Sequence, residues 1–332
     1  MNDDILRLLH VRGDFLSGEE ISRQLGISRT AVWKRIGKLK EEGYEIDSVP
    51  HKGYRLDPFP RGRIYGWVLE QAFEELDSQL FDRLIFAETL DSTNLEIKRR
   101  IAEGELKSGM VAVCEQQTAG RGRRGRAWAS PAGSGLWFSL GLNPDIQPAH
   151  APMLTIIAGM AVRDALEALY GLEAGIKWPN DIIVGNRKIC GILTEMTMED
   201  LEMSGVVVGI GINVRPAAFP EQLKDIATSI QAETSGDAPD RARLLCQVLS
   251  RFEHYYKIFI QTEDLSALHT TYEAHCVNIG RTVRVISPTQ EFEAKALGID
   301  DMGGLRLQLE DGTLRTVTSG EVTIRGVMGY GK

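Results

Sequence analysis

Seven residues, Gly120-Arg121-Gly122-Arg123-Arg124-Gly125-Arg126, interleave glycine with arginine, and the run stands between two apolar stretches, residues 110–114 and 136–142. Each stretch has the length and composition of a buried strand. The run is therefore a connection inside a sheet, which lowers the weight of a terminal nucleic-acid tail. Glycine lets backbone approach a ligand closely and adopt positive φ. Arginine adds planar, permanently charged forks that match carboxylate and phosphate. A loop of this composition suits closure over a small anion, although on its own it is equally consistent with a solvated basic loop.

A chain of 332 residues is long enough for two or three domains, each with its own core. With 43% hydrophobic and 25% charged residues the composition is that of a globular protein. The formal net charge of −8 argues against nucleic-acid binding over the whole surface and leaves room for one basic face. Cys114, Cys190, Cys246 and Cys276 are far apart, with no CxxC pair and no zinc-site spacing, so they read as reduced core thiols. The N-terminus is acidic where a signal peptide is basic, and no run approaches the roughly 18 apolar residues that span a bilayer. These features lead us to expect a cytoplasmic protein with no membrane partner.

The first sixty residues contain three helix patterns. Residues 3–10 carry Ile5, Leu6, Leu8 and Leu9 on one side. Ser17 with Glu20 has capping-box spacing ahead of a helix that Gly26 ends, and Ser28 can cap residues 29–42 before Gly43. Val32, Ile36 and Leu39 form a single buried stripe in that third helix. Two helices joined by a tight glycine turn are a helix-turn-helix, whose second helix enters the major groove. The alternating segments 44–49 and 53–56 around Pro50-His51-Lys52 add a wing. Residues 21–40 hold six Lys/Arg and no Asp/Glu, whereas the first 57 residues balance at ten of each. Arg23, Ser28, Arg29, Thr30, Trp33, Lys34, Lys38 and Lys52 are the candidate DNA contacts; the bland alternative is a solvated face of a protein-interaction module.

Pro58, Pro60 and Gly62 break the pattern at a domain boundary, and a helical pattern resumes over residues 64–76. Residues 84–88 read as a strand, after which Asp91-Ser92-Thr93-Asn94 opens a helix, where hydroxyl and amide side chains commonly serve as caps. An apolar helix is expected over residues 150–170. Lys177-Trp178-Pro179-Asn180-Asp181 leads into a hairpin turning at Gly185-Asn186. Residues 206–214 form a buried strand in which Gly209 and Gly211 mark a bulge or a close passage. Helices over residues 240–260 and onward to about 275 precede strands at 282–286, 291–299, 305–309 and 316–324, a small barrel.

The motifs DSTN, QQTAGRGRRGRAW, KWPND, RKICGILTE and GIGIN, in this order and spacing, resemble those of the biotin–protein ligases. Together with the winged head, nearly the whole chain is similar to the bifunctional ligases that also repress the biotin operon. The resemblance implies an α+β multidomain fold: a winged helix-turn-helix at residues 1–60, a mixed-sheet catalytic domain of the biotin ligase and class II synthetase-like type at 61–275, and an SH3-like barrel at 276–332. It implies ATP, biotin and Mg²⁺, a biotin carboxyl carrier protein as acceptor, biotin-operon DNA, and a homodimer favoured by biotinyl-5′-AMP.

Carried over by motif, Ser92, Thr93 and Gln117 would bind the ureido head of biotin, and Gly191, Leu193 and Gly209 its ring and tail. Gly120, Arg121 and Arg123 would close on carboxylate and phosphate, with Lys188 at their junction. Lys177, Asn180, Asp181 and Asn213 would serve the nucleotide, with Trp128 and Trp178 as apolar walls. Arg121, Arg123 and Lys188 are the expected catalytic cations. The segment after Asn213 lacks the tryptophan with which some family members cover adenine, leaving Phe219 as the candidate. The competing readings are a transcription factor with a non-catalytic effector pocket, and a ligase for lipoate or octanoate.

Overall fold

The structure, a computed structural model, describes residues 2–41, 43–56, 64–106, 109–200, 202–216, 223, 225–236, 239–287, 290–318 and 323–326. The chain divides into two compact units, Met1–Gln71 and Ala72–Lys332.

In the first unit α1 (Asn2–Arg12), α2 (Gly18–Leu25) and α3 (Arg29–Glu41) precede a two-stranded sheet of β1 (Ile46–Val49) and β2 (Gly53–Leu56). The local signals read from the sequence act as expected. The Glu20 amide donates to Ser17 Oγ, Gly26 takes a left-handed φ of 64°, and the Ala31 amide donates to Ser28 Oγ at 3.2 Å. Val32, Ile36 and Leu39 are buried against Ile5, Leu6, Leu9 and Ile21. The start of α4 (Gly66–Glu74) completes this core: Tyr65 stacks on Tyr44 at 4.4 Å, and Trp67 meets His10 edge-on at 4.8 Å.

The second unit is built on a seven-stranded mixed sheet in the order β3-β4-β5-β9-β8-β7-β6. Its chain order is β3 (Phe81–Leu90), α5 (Thr93–Ala102), β4 (Gly109–Gln117), β5 (Gly135–Leu142), α6 (Leu154–Tyr170), β6 (Gly175–Lys177), β7 (Asp181–Val184), β8 (Arg187–Glu199) and β9 (Glu202–Asn213). Only β3 and β4 pair in parallel, because α5 carries the chain back between them; the other neighbours are antiparallel. Strand β5 is buried along its whole length, as a strand covered on both faces must be. The helix expected over residues 150–170 begins as a 3-10 turn, Pro148–Met153, and becomes α-helical only at Leu154. Pro152 has no N–H to donate, so the regular ladder starts after it.

After α7 (Ile230–Thr234), the long α8 (Arg241–Thr262) is capped by Asp240, which accepts from the Ala242 and Arg243 amides. The helix expected to continue to residue 275 shrinks to α9 (His269–Glu273). The C-terminal strands β10 (Thr282–Ile286), β11 (Glu291–Ile299), β12 (Leu305–Gln308), β13 (Leu314–Val317) and β14 (Thr323–Gly326) form an antiparallel sheet in the order β13-β12-β11-β10-β14. The single strand expected over 316–324 is thus two, which take opposite edges of that sheet. Among the described residues no pairing joins those edges into a barrel.

One buried ion pair ties α8 to the sheet. Arg241 approaches Glu115 of β4 at 3.2 Å and donates to the Gly135 carbonyl at 2.8 Å, while Glu115 also accepts from the Gly133 amide at 2.6 Å. Burial pulls the Arg241 guanidinium down and Glu115 pulls it back up. Removing one partner leaves a buried charge uncompensated, which costs about 3–5 kcal/mol. Arg241→Met is therefore expected to lose stability of that order in urea unfolding, and pairing it with Glu115→Gln to recover most of it; a loss below about 1 kcal/mol would place the pair with weak surface bridges.

Candidate functional site

The arginine–glycine run folds back on itself. The Trp128 amide donates to the Gly120 carbonyl at 2.9 Å and the Gly122 amide to the Arg126 carbonyl at 2.7 Å, so the loop is a narrow hairpin rooted in β4. Its tip is the 3-10 turn Arg123–Gly125, where Arg124 and Gly125 both hold positive φ, 56° and 71°. The hairpin base is stitched to the loop after β3, since the Thr118 and Ala119 amides donate to the Leu90 and Asp91 carbonyls. Start of α5 and arginine loop are thereby brought to the same end of the sheet.

Two cavities meet under this hairpin. The first, about 470 Å³, is bordered by Ser92, Thr93, Gln117, Arg121, Arg123, Lys188, Gly191, Leu193 and Gly209, together with Trp128, Asn180, Asn94, Gly122, Phe138, Ile192, Ile210 and Gly211. The second, about 1250 Å³, is bordered by Arg123, Trp128, Lys177, Trp178, Asn180, Asp181, Lys188 and Asn213, with Gly122, Arg124, Arg126, Ala127, Ala129, Pro179, Leu223, Ile226 and Ala227. Gly122, Arg123, Trp128, Asn180 and Lys188 border both, so the cations stand at the junction. The structure gathers every residue expected at the catalytic site except Gly120, which lines neither cavity. A Cβ on Gly120 would lie 2.4 Å from the Trp128 carbonyl oxygen, so the position serves backbone packing. Phe219 lies outside the described residues.

Lys188 Nζ reaches Asp181 Oδ1 at 2.5 Å and sits 4.9 Å from the centroid of the Trp128 ring. Gly191 makes this possible, because a Cβ there would stand 2.9 Å from both Lys188 Nζ and the Trp128 ring. Arg123 donates to Asn180 Oδ1 at 3.0 Å, and Asn180 in turn donates to the Ile192 carbonyl at 3.1 Å. Burial lowers the Arg123 pKa, Asp181 opposes that, and Arg124 and Arg126 add to it. Arginine nevertheless stays protonated, so the junction carries two fixed cations and one carboxylate.

The first chamber has a polar floor. Ser92 occupies the N-cap position of α5 yet makes no side-chain cap bond, and it is 2% exposed. Ser92 borders the chamber, and the missing cap bond tells against the commonplace reading as a cap. The Thr93 amide and hydroxyl both donate to Gln117 Oε1, at 2.9 and 3.2 Å, and Gln117 Nε2 donates to Ser130 Oγ at 2.8 Å. Asn94, absent from the residues singled out in sequence, links this floor to β8. It donates to Glu195 Oε2 at 2.7 Å, Glu195 takes Lys98 at 2.6 Å, and Asn94 Oδ1 accepts from the buried Ser139 at 2.6 Å. Burial would raise Glu195, but Asn94, Lys98 and the charge of Arg121 hold it below the ordinary carboxylate range. Asn94 fits only because position 209 is glycine, where a Cβ would come within 2.1 Å of Asn94 Oδ1. Position in the DSTN motif could have nominated Asn94; its partner is 101 residues away.

In the second chamber Trp178 is 1% exposed and its indole N–H donates to the Gly303 carbonyl at 3.0 Å, while Asn213 Nδ2 donates to the Thr228 carbonyl at 3.0 Å. All four cysteines are free, and burial pushes Cys114 up to about 12 and Cys246 to about 11, so neither is a reactive thiolate.

On the N-terminal unit, Arg29, Thr30, Trp33, Lys34 and Lys38 are exposed on α3, outside its buried stripe, with Trp33 67% exposed. Arg23 lies exposed on α2, 3.8 Å from Glu20; Ser28 is engaged as the α3 cap. Lys52, on the wing, lies 5.8 Å from the Phe15 ring.

One unit thus holds two adjoining chambers with Arg123 and Lys188 on their shared border, and the other a winged helix-turn-helix. Residues 86–213 match the profile of the Biotin/lipoate A/B protein ligase family, residues 2–55 that of an HTH domain, and residues 279–325 that of the Biotin protein ligase C terminal domain. The chain is 38% identical over 327 residues to the bifunctional ligase/repressor BirA of Bacillus subtilis, covering 98% of each chain, and 33% identical over 317 residues to that of Escherichia coli, covering 96% of this chain and 95% of the other. A biotin protein ligase from Aquifex aeolicus solved with biotin and ATP superposes with a TM-score of 0.65 at 31% identity, covering 74% of this chain and all of that one. The chain belongs to the biotin–protein ligase family, in its bifunctional ligase/repressor form.

The Gly209–Asn94 contact yields a direct check. Gly209→Ala must displace Asn94 and the floor it anchors, so biotin binding measured by calorimetry is expected to weaken about tenfold or more, the effect of an ångström-scale misplacement. Unaltered affinity would exclude the floor from biotin recognition.

Proposed function

We propose that the chain activates biotin with ATP and transfers the biotinyl group to a lysine of a biotin carboxyl carrier protein, and that it represses biotin genes with biotinyl-5′-AMP as corepressor. In the first step a carboxylate oxygen of biotin attacks the α-phosphorus, and the bond to pyrophosphate breaks. In the second the uncharged acceptor amine attacks the acyl carbon, AMP leaves with the bonding pair, and the amine loses a proton. The obstacle in the first step is repulsion between two anions, which preorganised cations reduce. The observation that carries this reading is the place of Lys188 and Arg123 on the border shared by both cavities.

In this reading Ser92, Thr93 and Gln117 hold the ureido head, with Gly191, Leu193 and Gly209 around the ring and tail. Arg121 and Arg123 close on carboxylate and phosphate, and Lys188 bridges the two. Lys177, Asn180, Asp181 and Asn213 serve the nucleotide, between Trp128 and Trp178. Mg²⁺ neutralises phosphate charge when bound. Among the described residues no cluster of three His, Cys, Asp or Glu could cage a metal, and Asp181 is the carboxylate bordering the larger chamber. That donor set fits Mg²⁺ held mainly by phosphates and water, with one carboxylate. Arg29, Thr30, Trp33, Lys34, Lys38, Lys52 and Arg23 would meet DNA.

The finer organisation belongs to the same proposal: domains at residues 1–60, 61–275 and 276–332, a class II synthetase-like centre, a closed SH3-like barrel at the C-terminus, and a homodimer strengthened by biotinyl-5′-AMP. Among the described residues no helix is long and apolar enough to cross a membrane; action in the cytoplasm is part of the proposal.

Incubation with ATP, labelled biotin and a carrier domain tests the activity; no transfer of label to the carrier would overturn it. Lys188→Ala is expected to slow biotin-dependent ATP–pyrophosphate exchange about 10²–10³-fold, the usual cost of losing one preorganised donor to a developing charge. For the head, each of Arg29, Lys34 and Lys38 changed to Ala should lower the slope of log binding constant against log salt by about 0.9. Slopes equal to that of the unmodified protein would remove these side chains from the phosphate contacts.

A further inference from the structure

The larger chamber has one wall that lies outside the sequence motifs. Residues 225–229 run beside the start of β8. The Lys188 amide donates to the Ile226 carbonyl at 2.7 Å, and the Thr228 amide donates to the Lys188 carbonyl at 2.9 Å. Ala227 is thus bridged in parallel to Lys188, and Ile226 and Ala227 border the larger chamber but not the smaller. On its other side Lys188 sits at an irregularity of the β7–β8 ladder, where Ile183 pairs with Lys188 but Ile182 pairs with Cys190. An irregularity of this kind releases a strand from strict alternation and re-aims its side chains. The direction of Lys188 then depends on what holds its backbone, and the 225–229 strap holds both its N–H and its C=O.

The strap is itself clamped. Glu233 of α7 accepts from Arg187 Nη2 at 2.7 Å and from the Thr228 hydroxyl through the same carboxylate oxygen. It therefore joins the residue before Lys188 to the strap residue whose amide donates to the Lys188 carbonyl. The Glu233 side chain is 14% exposed, so the charge-assisted bond is partly withdrawn from water. Asn213, which borders the same chamber, adds a second tether through its bond to the Thr228 carbonyl.

We propose that Glu233 is a positioning residue for adenylate formation. It locks the strap against Arg187, and the strap fixes both the aim of Lys188 and the wall of the nucleotide chamber. The inference rests on the reading of the larger chamber as the nucleotide side. Glu233 borders neither chamber, and its consequences should divide unequally between the two substrates, because Ile226 and Ala227 border the larger chamber alone.

The test measures ATP–pyrophosphate exchange, biotin affinity without nucleotide, and melting temperature, on the full chain. Glu233→Ala is expected to lower kcat and raise the KM for ATP, with kcat/KM for ATP falling about tenfold to 10²-fold, as a misplacement of about an ångström does. Biotin affinity without nucleotide is expected to fall by a smaller factor. Thr228→Val is expected to reproduce the defect, whereas Thr228→Ser, which keeps the hydroxyl, restores it. Equal losses for biotin and ATP, undiminished exchange in Glu233→Ala, or Thr228→Ser as impaired as Thr228→Val would each overturn the clamp. Lys188→Ala is run alongside: if it leaves exchange intact the reading of the site itself falls, and if it abolishes exchange while Glu233→Ala does not, only the clamp falls.

Discussion

The placement of a lysine ammonium between a carboxylate and an indole face is the interaction on which the site depends. Lys188 Nζ is 2.5 Å from Asp181 and 4.9 Å from the Trp128 ring centroid, on the border of both cavities. Asp181 comes from β7, Lys188 from β8 and Trp128 from the return arm of the arginine hairpin, so three separate elements must be in register for the contact to exist. The mixed sheet supplies that register. Its two central pairings, β5 with β9 and β9 with β8, run without interruption where they pass beneath the site. An anion entering either chamber meets a cation already paired and held, and such preorganisation is what lets a fixed charge act without reorganisation at the moment of reaction.

Small residues are the counterpart of that fixed cation. Gly191 leaves room for Lys188 and Trp128, and Gly209 leaves room for Asn94. The floor and the junction are each supported by chains of polar contacts: Ser139, Asn94, Glu195 and Lys98 on one side, Thr228, Glu233 and Arg187 on the other. A site of this kind is only as accurate as its supporting contacts. The residues that hold it in shape are consequently as informative as those that border it.

Much of this was legible in the chain itself where the cause is local. Ser17, Gly26 and Ser28 cap and stop the helices of the head as their spacing predicts. The strands flanking the arginine run, the hairpin at Gly185-Asn186 and the order of the ligase motifs are recovered, because period and turn chemistry act over a few residues. Ser92 shows the limit: its local pattern fits a cap, yet it makes no cap bond and borders the smaller chamber. Asn94 with Glu195, and Arg187 with Glu233, are separated by 101 and 46 residues. No periodicity announces such a pair. Pro152 displaced the start of α6, and the division of the last expected strand depends on edge pairing, which composition does not encode.

The central claim is that the two chambers bring a biotin carboxylate and an α-phosphate together and that the acyl bond to oxygen is later broken by a carrier amine. Biotin carrying heavy oxygen in both carboxylate positions, incubated with ATP and a carrier domain, follows that oxygen directly by mass spectrometry of the released AMP. The account predicts AMP bearing one heavy oxygen, with the other retained in the biotinyl amide of the carrier. AMP free of heavy oxygen alongside biotinylated carrier would contradict it.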